Sequence, residues 1–374
     1  MGYELSRRAM IGAATAGTAV FAARANAAAI PADQVGPMFG PAPGTALLSR
    51  NENPYGPAPS AVRAMAEAAA KGCYYADNGS KTLTRMIAER FGVTPDHVVL
   101  ASGSTEVLCA AALALMPKGS IVAPELFWDT TVQYAERKGA KVVRVAQQPD
   151  MGIDLVGLAA AAVQPGVALV HVCNPNNPTG MTIDGKTMAG FVAKVAPTTT
   201  VLVDEAYNEL TDLPEATSVA HMVKTGANLI VCRTFSKIYG MAGLRIGYAI
   251  CQPEMAKTIT AYLMSFGGNS AGLAAAIASY DDTEFTRFSK ARVVEARGMI
   301  LDAVKAAGLT ALPTETNFVF VKVPDADAVQ KAMAAQGVLI RGSYGKWTQW
   351  SRVSTGRIED VKRYAAALPR AVQA

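Results

Sequence analysis

Histidine is scarce here: three residues in 374, at His97, His171 and His221, and they read as packing or surface positions. Cysteine is nearly as rare. Cys73, Cys109, Cys173, Cys232 and Cys251 lie far apart, mostly inside apolar runs. They show no metal-ligand spacing, and their odd number argues against a disulfide framework. Buried free thiols and no metal are the expectation. Aromatics make up 7% of the chain, and the +5 net charge is scattered and not gathered into a stripe. Nucleic-acid binding therefore has no support. No uninterrupted apolar run reaches the roughly 20 residues that an ordinary membrane-spanning helix needs.

What is present is apolar material. Hydrophobic residues form 51% of the sequence and charged residues 17%, enough for a substantial core divided over about two or three domains. Met1 to Ala27 is set aside first as an address. Arg7-Arg8 precedes an uncharged Ala- and Gly-rich run from Ala9 to Ala23, and Ala25-Asn26-Ala27 offers small residues for cleavage. The segment resembles a twin-arginine export signal, which predicts a periplasmic protein without stable membrane association after export, and a cytoplasmic one if the segment is no signal. The remaining divisions are an arm with part of a small domain over 28–60, a large domain over 61–262 and a small C-terminal domain over 263–374.

From His97 onward, short apolar runs alternate with helices in the manner of a mostly parallel α/β sheet. Seven strands are predicted, over 97–100, 120–123, 141–145, 167–172, 200–203, 228–232 and 247–250. Helices are predicted near 59–70, 81–91, 105–115, 130–138, 156–162 and 185–195, with Tyr74 to Asp77 as a loop. After Pro253 the character changes. Helices over 254–263, 270–279 and 283–307 give way to strands over 317–321, 338–340 and 352–354, with further helices over 325–335 and 358–368. This is an α+β second domain.

Polar residues stand where the predicted strands end, the usual ligand edge of an open α/β sheet. Gly103-Ser104-Thr105 opens a helix, so its free N–H groups make an anion seat. Thr234, Ser236 and Arg245 complete that seat. Lys237 lies between this polar cluster and a glycine-rich stretch, and a lysine amine in such a place forms Schiff bases once its pKa is lowered. Trp128, with Phe127 as the alternative, would stack on an aromatic ring. Asn177, pinned by its prolines, and Tyr207 reach a ring hydroxyl. Asp204 is placed to hold a ring nitrogen protonated, and Arg352 to clamp a carboxylate bidentately. Each signal alone is weak. Together they fit one phosphorylated pyridine aldehyde.

In this combination the sequence resembles the fold-type I pyridoxal-phosphate aminotransferases of classes I and II, in the histidinol-phosphate aminotransferase-like branch. The motifs are Asn51-Glu52-Asn53-Pro54, Asn177-Pro178-Thr179-Gly180, Asp204-Glu205-Ala206-Tyr207, Ser236-Lys237 with Gly243-Leu244-Arg245-Ile246-Gly247, and Arg352-Val353-Ser354-Thr355-Gly356. The resemblance implies pyridoxal 5'-phosphate as cofactor and Lys237 as its covalent attachment and proton shuttle. It implies Arg352 on the substrate carboxylate, with Asn53 and Arg341 beside the substrate. Tyr75 would reach the cofactor phosphate of a neighbouring subunit, hence a homodimer with shared sites. The implied reaction moves an amino group between an L-amino acid, or histidinol phosphate, and a 2-oxo acid.

Two segments depart from the family pattern. Leu126-Phe127-Trp128 replaces the usual stacking motif, leaving the register open. Arg341-Gly342 is followed by the aromatic-rich Ser343-Tyr344-Gly345-Lys346-Trp347-Thr348-Gln349-Trp350, a different pocket wall that opens the alternative of an aromatic amino acid donor. A lyase, decarboxylase or racemase on the same scaffold is the nearest rival. Gly268-Asn269-Ser270-Ala271-Gly272 matches the spacing of a serine-hydrolase elbow, yet no histidine follows it in the chain.

Overall fold

Along each central strand the apolar side chains alternate between two faces, and each face finds its own layer of helices. The computed structural model describes residues 37–265 and 267–373, so the segment expected to be an export signal lies outside the described residues. Residues 37–44 form one unit, exposed and without helix or strand, and the chain from Thr45 onward forms the other.

In chain order the second unit runs β1 (Ala46–Leu47), α1 (Pro59–Ala69), α2 (Asp77–Phe91), β2 (Val98–Ala101), α3 (Ser104–Leu115), β3 (Ser120–Pro124), α4 (Thr130–Glu136) and β4 (Val142–Val145). It continues with α5 (Leu155–Ala162), β5 (Val167–Cys173), α6 (Gly185–Val195), β6 (Thr200–Asp204), α7 (Pro214–Thr217), β7 (Leu229–Thr234), β8 (Gly247–Ile250), α8 (Pro253–Thr260), α9 (Ser270–Tyr280) and α10 (Thr283–Ala306). The last elements are β9 (Thr310–Ala311), β10 (Phe318–Lys322), α11 (Ala326–Ala334), β11 (Val338–Leu339), β12 (Trp350–Ser354) and α12 (Ile358–Ala371).

All seven expected central strands form one sheet, ordered β2-β8-β7-β6-β5-β3-β4. The pairs from β7 through β6, β5 and β3 to β4 are parallel, while β8 runs antiparallel to both β7 and β2. Val170, Val172, Val201 and Val203 belong to one core with Leu83, Ile87 and Leu273, whereas Leu169, Leu202 and Ile230 belong to the other with Val107, Leu108 and Ile259. A third core gathers β1, β10 and β11 with α11 and α12 around Tyr364, Val319 and Val338. Helix α10 joins the cores, giving Phe285 and Val293 to the sheet and Ala296, Ile300 and Val304 to the third core.

Helix α2 begins at Asp77, four residues before its expected start, because Asn78 and Gly79 read as turn residues but are drawn into the first turn. Helix α12 runs past Pro369 to Ala371, its buried Tyr364, Ala367, Leu368 and Ala371 keeping helical spacing against the third core.

Candidate active site

Strands β5, β6 and β7 deliver three polar ends side by side, since Cys173 pairs with Asp204 and Asp204 with Cys232 in the sheet register. Asp204 is thus flanked by thiols and not by cations. Its Oδ1 accepts from the Ala206 N–H at 3.1 Å, and the Cys173 Sγ lies 4.0 Å from Oδ2. Burial pushes this carboxyl up to about 7, outweighing the Ala206 hydrogen bond and the attraction of Lys237, which pull it down.

Lys237 follows the end of β7. Its Nζ donates to the Asn51 backbone oxygen at 3.3 Å and stands 5.3 Å from the centre of the Tyr207 ring. Burial and then the Arg352 guanidinium bring the ammonium down to about 8, against the opposing pull of Asp204. An amine that is partly neutral near physiological pH is a competent nucleophile and base.

The anion seat lies at the start of α3. Gly103 precedes the helix at φ +79°, and a Cβ there would overlap the Arg245 guanidinium. A Cβ at Gly247 would overlap the Ser104 N–H. Only glycine leaves that N–H and that guanidinium open. Arg245 donates to the Ala242 oxygen at 2.8 Å and to the Ser236 hydroxyl at 3.4 Å, and Thr234 donates to Ser236 at 2.9 Å. Arg245 itself is left-handed at φ 56°, a conformation a non-glycine residue keeps only when its surroundings over-determine it.

Ser104, Thr105, Trp128, Asn177, Asp204, Tyr207, Thr234, Ser236, Lys237 and Arg245 therefore line one small cavity of about 150 Å³. Trp128 lines both this cavity and the larger one outside it, whereas Phe127 lines only the larger one. Phe127 is only 4% exposed, sits in a core and meets His171 edge-on at 5.0 Å. His171 is fully buried with neither ring nitrogen bonded, and burial lowers it to about 3, so it stays neutral.

Outside this cavity opens a larger one of about 980 Å³, sharing Trp128, Asn177, Tyr207, Lys237 and Arg245 and adding Arg341, Tyr344 and Arg352. Arg352 donates to the Asn177 Oδ1 at 2.5 Å and to the Ser49 oxygen at 2.9 Å, leaving its Nε without a partner. Tyr207 accepts at its hydroxyl from Asn51 at 3.0 Å and from Asn177 at 3.2 Å. Burial raises its phenol well above the ordinary value, so it stays a neutral donor.

Asn53 corrects an expectation. It lines neither cavity, because its amide is spent on the Ile238 oxygen at 2.8 Å and on Ser289 at 3.0 Å. Asn51, two residues earlier, lies in the outer cavity. It is left-handed at φ 55° and held there by Ser354 and Asn317. The motif pointed to the segment, and only the strained turn picks the residue.

Tyr75 is 77% exposed and lines a separate cavity with Ser102, Glu106 and Arg245. Ser270 merely opens α9, capped by the Asn269 Oδ1, with no strand before it. Among the described residues no cluster could hold a metal ion, and no helix is long and apolar enough to cross a membrane.

A phosphorylated pyridine fits this geometry. Asp204 is a buried carboxyl without an ion pair among the described residues, the two glycines keep the phosphate seat open, and Lys237 lines the same cavity as both. Comparison with known proteins agrees. The description Aminotransferase class I and II matches residues 44–368. The chain is 38% identical to histidinol-phosphate aminotransferase 2 of Ralstonia nicotianae over 332 residues, covering 87% of this chain and 88% of that one. It is 35% identical to histidinol-phosphate aminotransferase of Symbiobacterium thermophilum, over 87% and 90% of the two chains. The crystal structure of histidinol-phosphate aminotransferase from Sinorhizobium meliloti, in complex with pyridoxal-5'-phosphate, superposes with a TM-score of 0.82 at 29% identity, covering 93% of this chain and 98% of that one. Matched over most of its length, the chain belongs to the class I and II aminotransferases and is a pyridoxal-phosphate-dependent aminotransferase.

Proposed function

We propose that this aminotransferase takes a primary amine bearing an acid group, an L-amino acid or histidinol phosphate, seats that acid on Arg352, and passes the amino group to a 2-oxo acid. One observation carries the reading. Arg352 is 7% exposed, shares the outer cavity with Lys237, and has an unpartnered Nε and no carboxylate partner among the described residues. A buried guanidinium without an anion costs several kcal/mol unless an acid arrives to neutralise it.

Bound pyridoxal phosphate supplies the electron sink that protein side chains lack. Ser104, Thr105, Ser236 and Arg245 would hold its phosphate, Trp128 its ring face, Asn177 and Tyr207 its hydroxyl, and Asp204 the proton on its ring nitrogen. Lys237 Nζ would hold the aldehyde at rest and, once displaced by the donor amine, take the proton from the donor α-carbon. A neutral amine is required for both duties, and burial keeps Lys237 near that state. Single-turnover absorbance of the cofactor, followed with histidinol phosphate, phenylalanine and glutamate in turn, tests the reading. Donor-dependent loss of the aldehyde band is expected; no change with any acid-bearing amine would sink it.

The same proposal includes two features of the chain's biology. Arg7-Arg8, the uncharged run to Ala23 and Ala25-Asn26-Ala27 support export of the folded, cofactor-loaded enzyme to the periplasm. Replacing both arginines with lysine should retain the protein in the cytoplasmic fraction. The exposed Tyr75 beside the cavity under Arg245 supports a homodimer in which each chain completes the other's phosphate seat. Light scattering that gives a monomer at working concentration would rule that out.

A further inference from the structure

The outer cavity carries a wall that the proposed roles leave unused. After Ile340 the chain enters a small folded loop, joined to β12 by the pairing of Arg341 with Arg352. Within it, Tyr344 pairs with Trp347. Two contacts fix the loop. The Ser343 N–H and hydroxyl both donate to the Asp327 carboxylate at 2.8 Å, tying the loop to the first turn of α11. Lys346 Nζ reaches Glu125 Oε1 at 2.7 Å, three residues before Trp128, so the loop also touches the segment that carries the ring-stacking tryptophan.

The loop delivers the Tyr344 ring between two guanidiniums. The Arg341 carbon lies 5.2 Å and the Arg352 carbon 5.8 Å from its centroid. Behind it the ring meets Phe320 edge-on at 5.7 Å, and Phe320 is itself stacked on Trp350 at 5.1 Å with 17° between planes. This is a supported aromatic surface whose position is set by packing, and it faces the same space as Trp128 and Arg352. Both guanidiniums lie within cation–π range of the ring. Arg341 is exposed and lines the same cavity beside the ring.

Resting on the transaminase reading above, we infer that Tyr344 is a specificity-determining residue, which makes this site select donors with a planar ring in the side chain over donors without one. The donor's acid group goes to Arg352, and its side chain extends toward Tyr344 between Leu339, Ile340 and Trp128. A flat, unsaturated side chain stacks there and adds to the ring's contacts. A side chain without a ring forgoes that contact, and the Tyr344 phenol, kept neutral by burial, offers it no charge in exchange.

The test compares the holoenzyme with Tyr344→Ala and Tyr344→Phe, measuring kcat/KM for phenylalanine and for aspartate by cofactor absorbance. Wild type should prefer phenylalanine. Tyr344→Ala should lower the phenylalanine-to-aspartate ratio about two- to tenfold, the size of one lost aromatic contact, and Tyr344→Phe should keep most of it. Binding of 3-phenylpropionate against succinate, read from the same band, asks the question without turnover and guards against a damaged Tyr344→Ala. An unchanged ratio in both measurements overturns the inference while leaving the transaminase reading intact. A wild type that reacts with neither donor, nor with any other acid-bearing amine, ends the transaminase reading and this inference with it.

Discussion

Arg352, on the last strand of the chain, donates to the side-chain oxygen of Asn177 at 2.5 Å, and the Asn177 amide in turn donates to Tyr207 at 3.2 Å. The proposed acid receptor and the proposed cofactor clamp are therefore one hydrogen-bonded unit. A hydrogen bond to a charged group contributes about 1.5–3 kcal/mol. Asn177→Ala should thus lower kcat/KM roughly 10- to 100-fold. Asn177→Asp should do more to KM than to kcat, because a carboxylate beside Arg352 occupies the place of the donor's acid. Steady-state kinetics with one good donor separates the two variants; equal KM values would break the link between these residues.

The position of Asp204 makes a statement about stability. Its carboxyl is raised to about 7 in the folded chain, against an ordinary value of 3.8. Between those values the folded state holds a proton that the unfolded state has lost, so stability contributed by this group falls as pH rises from about 4 to 7. A cationic ring nitrogen bound beside it removes that penalty. The apo-protein should therefore lose Tm across this window and Asp204→Asn should lose less, while added pyridoxal phosphate should flatten the wild-type curve. Thermal melts at pH 5, 6 and 7 with and without cofactor check all three.

Lys237 gives the opposite sign. Its folded value is lowered to about 8 from 10.5, so between those values the unfolded state binds the extra proton and stability from this group rises with pH. The same shift governs chemistry. The rate at which the apo-protein captures the cofactor aldehyde should climb as pH passes about 8, because only the neutral amine attacks. Lys237→Arg keeps the charge and cannot attack. It should bind cofactor without the covalent absorbance band and lose about 10²- to 10⁴-fold in turnover from the missing proton transfer. A pH-independent capture rate would show that the amine is not held half-neutral.

Much of this was readable from residues alone, and the reasons are local. β6 is Thr200-Val201-Leu202-Val203-Asp204, an apolar run closed by an acid, so strand, burial and site residue all announce themselves at once. Asn51 was hidden because a left-handed asparagine looks like any other turn residue until Ser354 and Asn317, some 300 positions away, are seen to hold it. Tyr344 was legible only as part of an unusual aromatic cluster. What it faces depends on Arg341 pairing with Arg352, a long-range contact that no periodicity encodes. Asn53 was misassigned for the converse reason. Its motif marks a neighbourhood, and burial decides which asparagine in it faces the cavity.

Glu205, next to Asp204 on the chain, belongs to the support of the site. It accepts from Arg233 at 2.7 Å, from Ser218 at 2.8 Å and from the Val219 N–H at 2.9 Å. Arg233 precedes Thr234 just as Glu205 follows Asp204, so the pair ties the ends of β6 and β7 together and sets where both site residues stand. The side chains are 10% and 2% exposed, so Glu205→Gln leaves a buried guanidinium short of its main counter-ion. Breaking such a pair costs about 3–5 kcal/mol. Urea unfolding of the holoenzyme should register most of that loss as a lower midpoint with an unchanged slope. The cofactor band should also shift, because Asp204 and Thr234 no longer hold their spacing. A loss below about 1 kcal/mol would place the tie between the two strands in the backbone ladder and not in this pair.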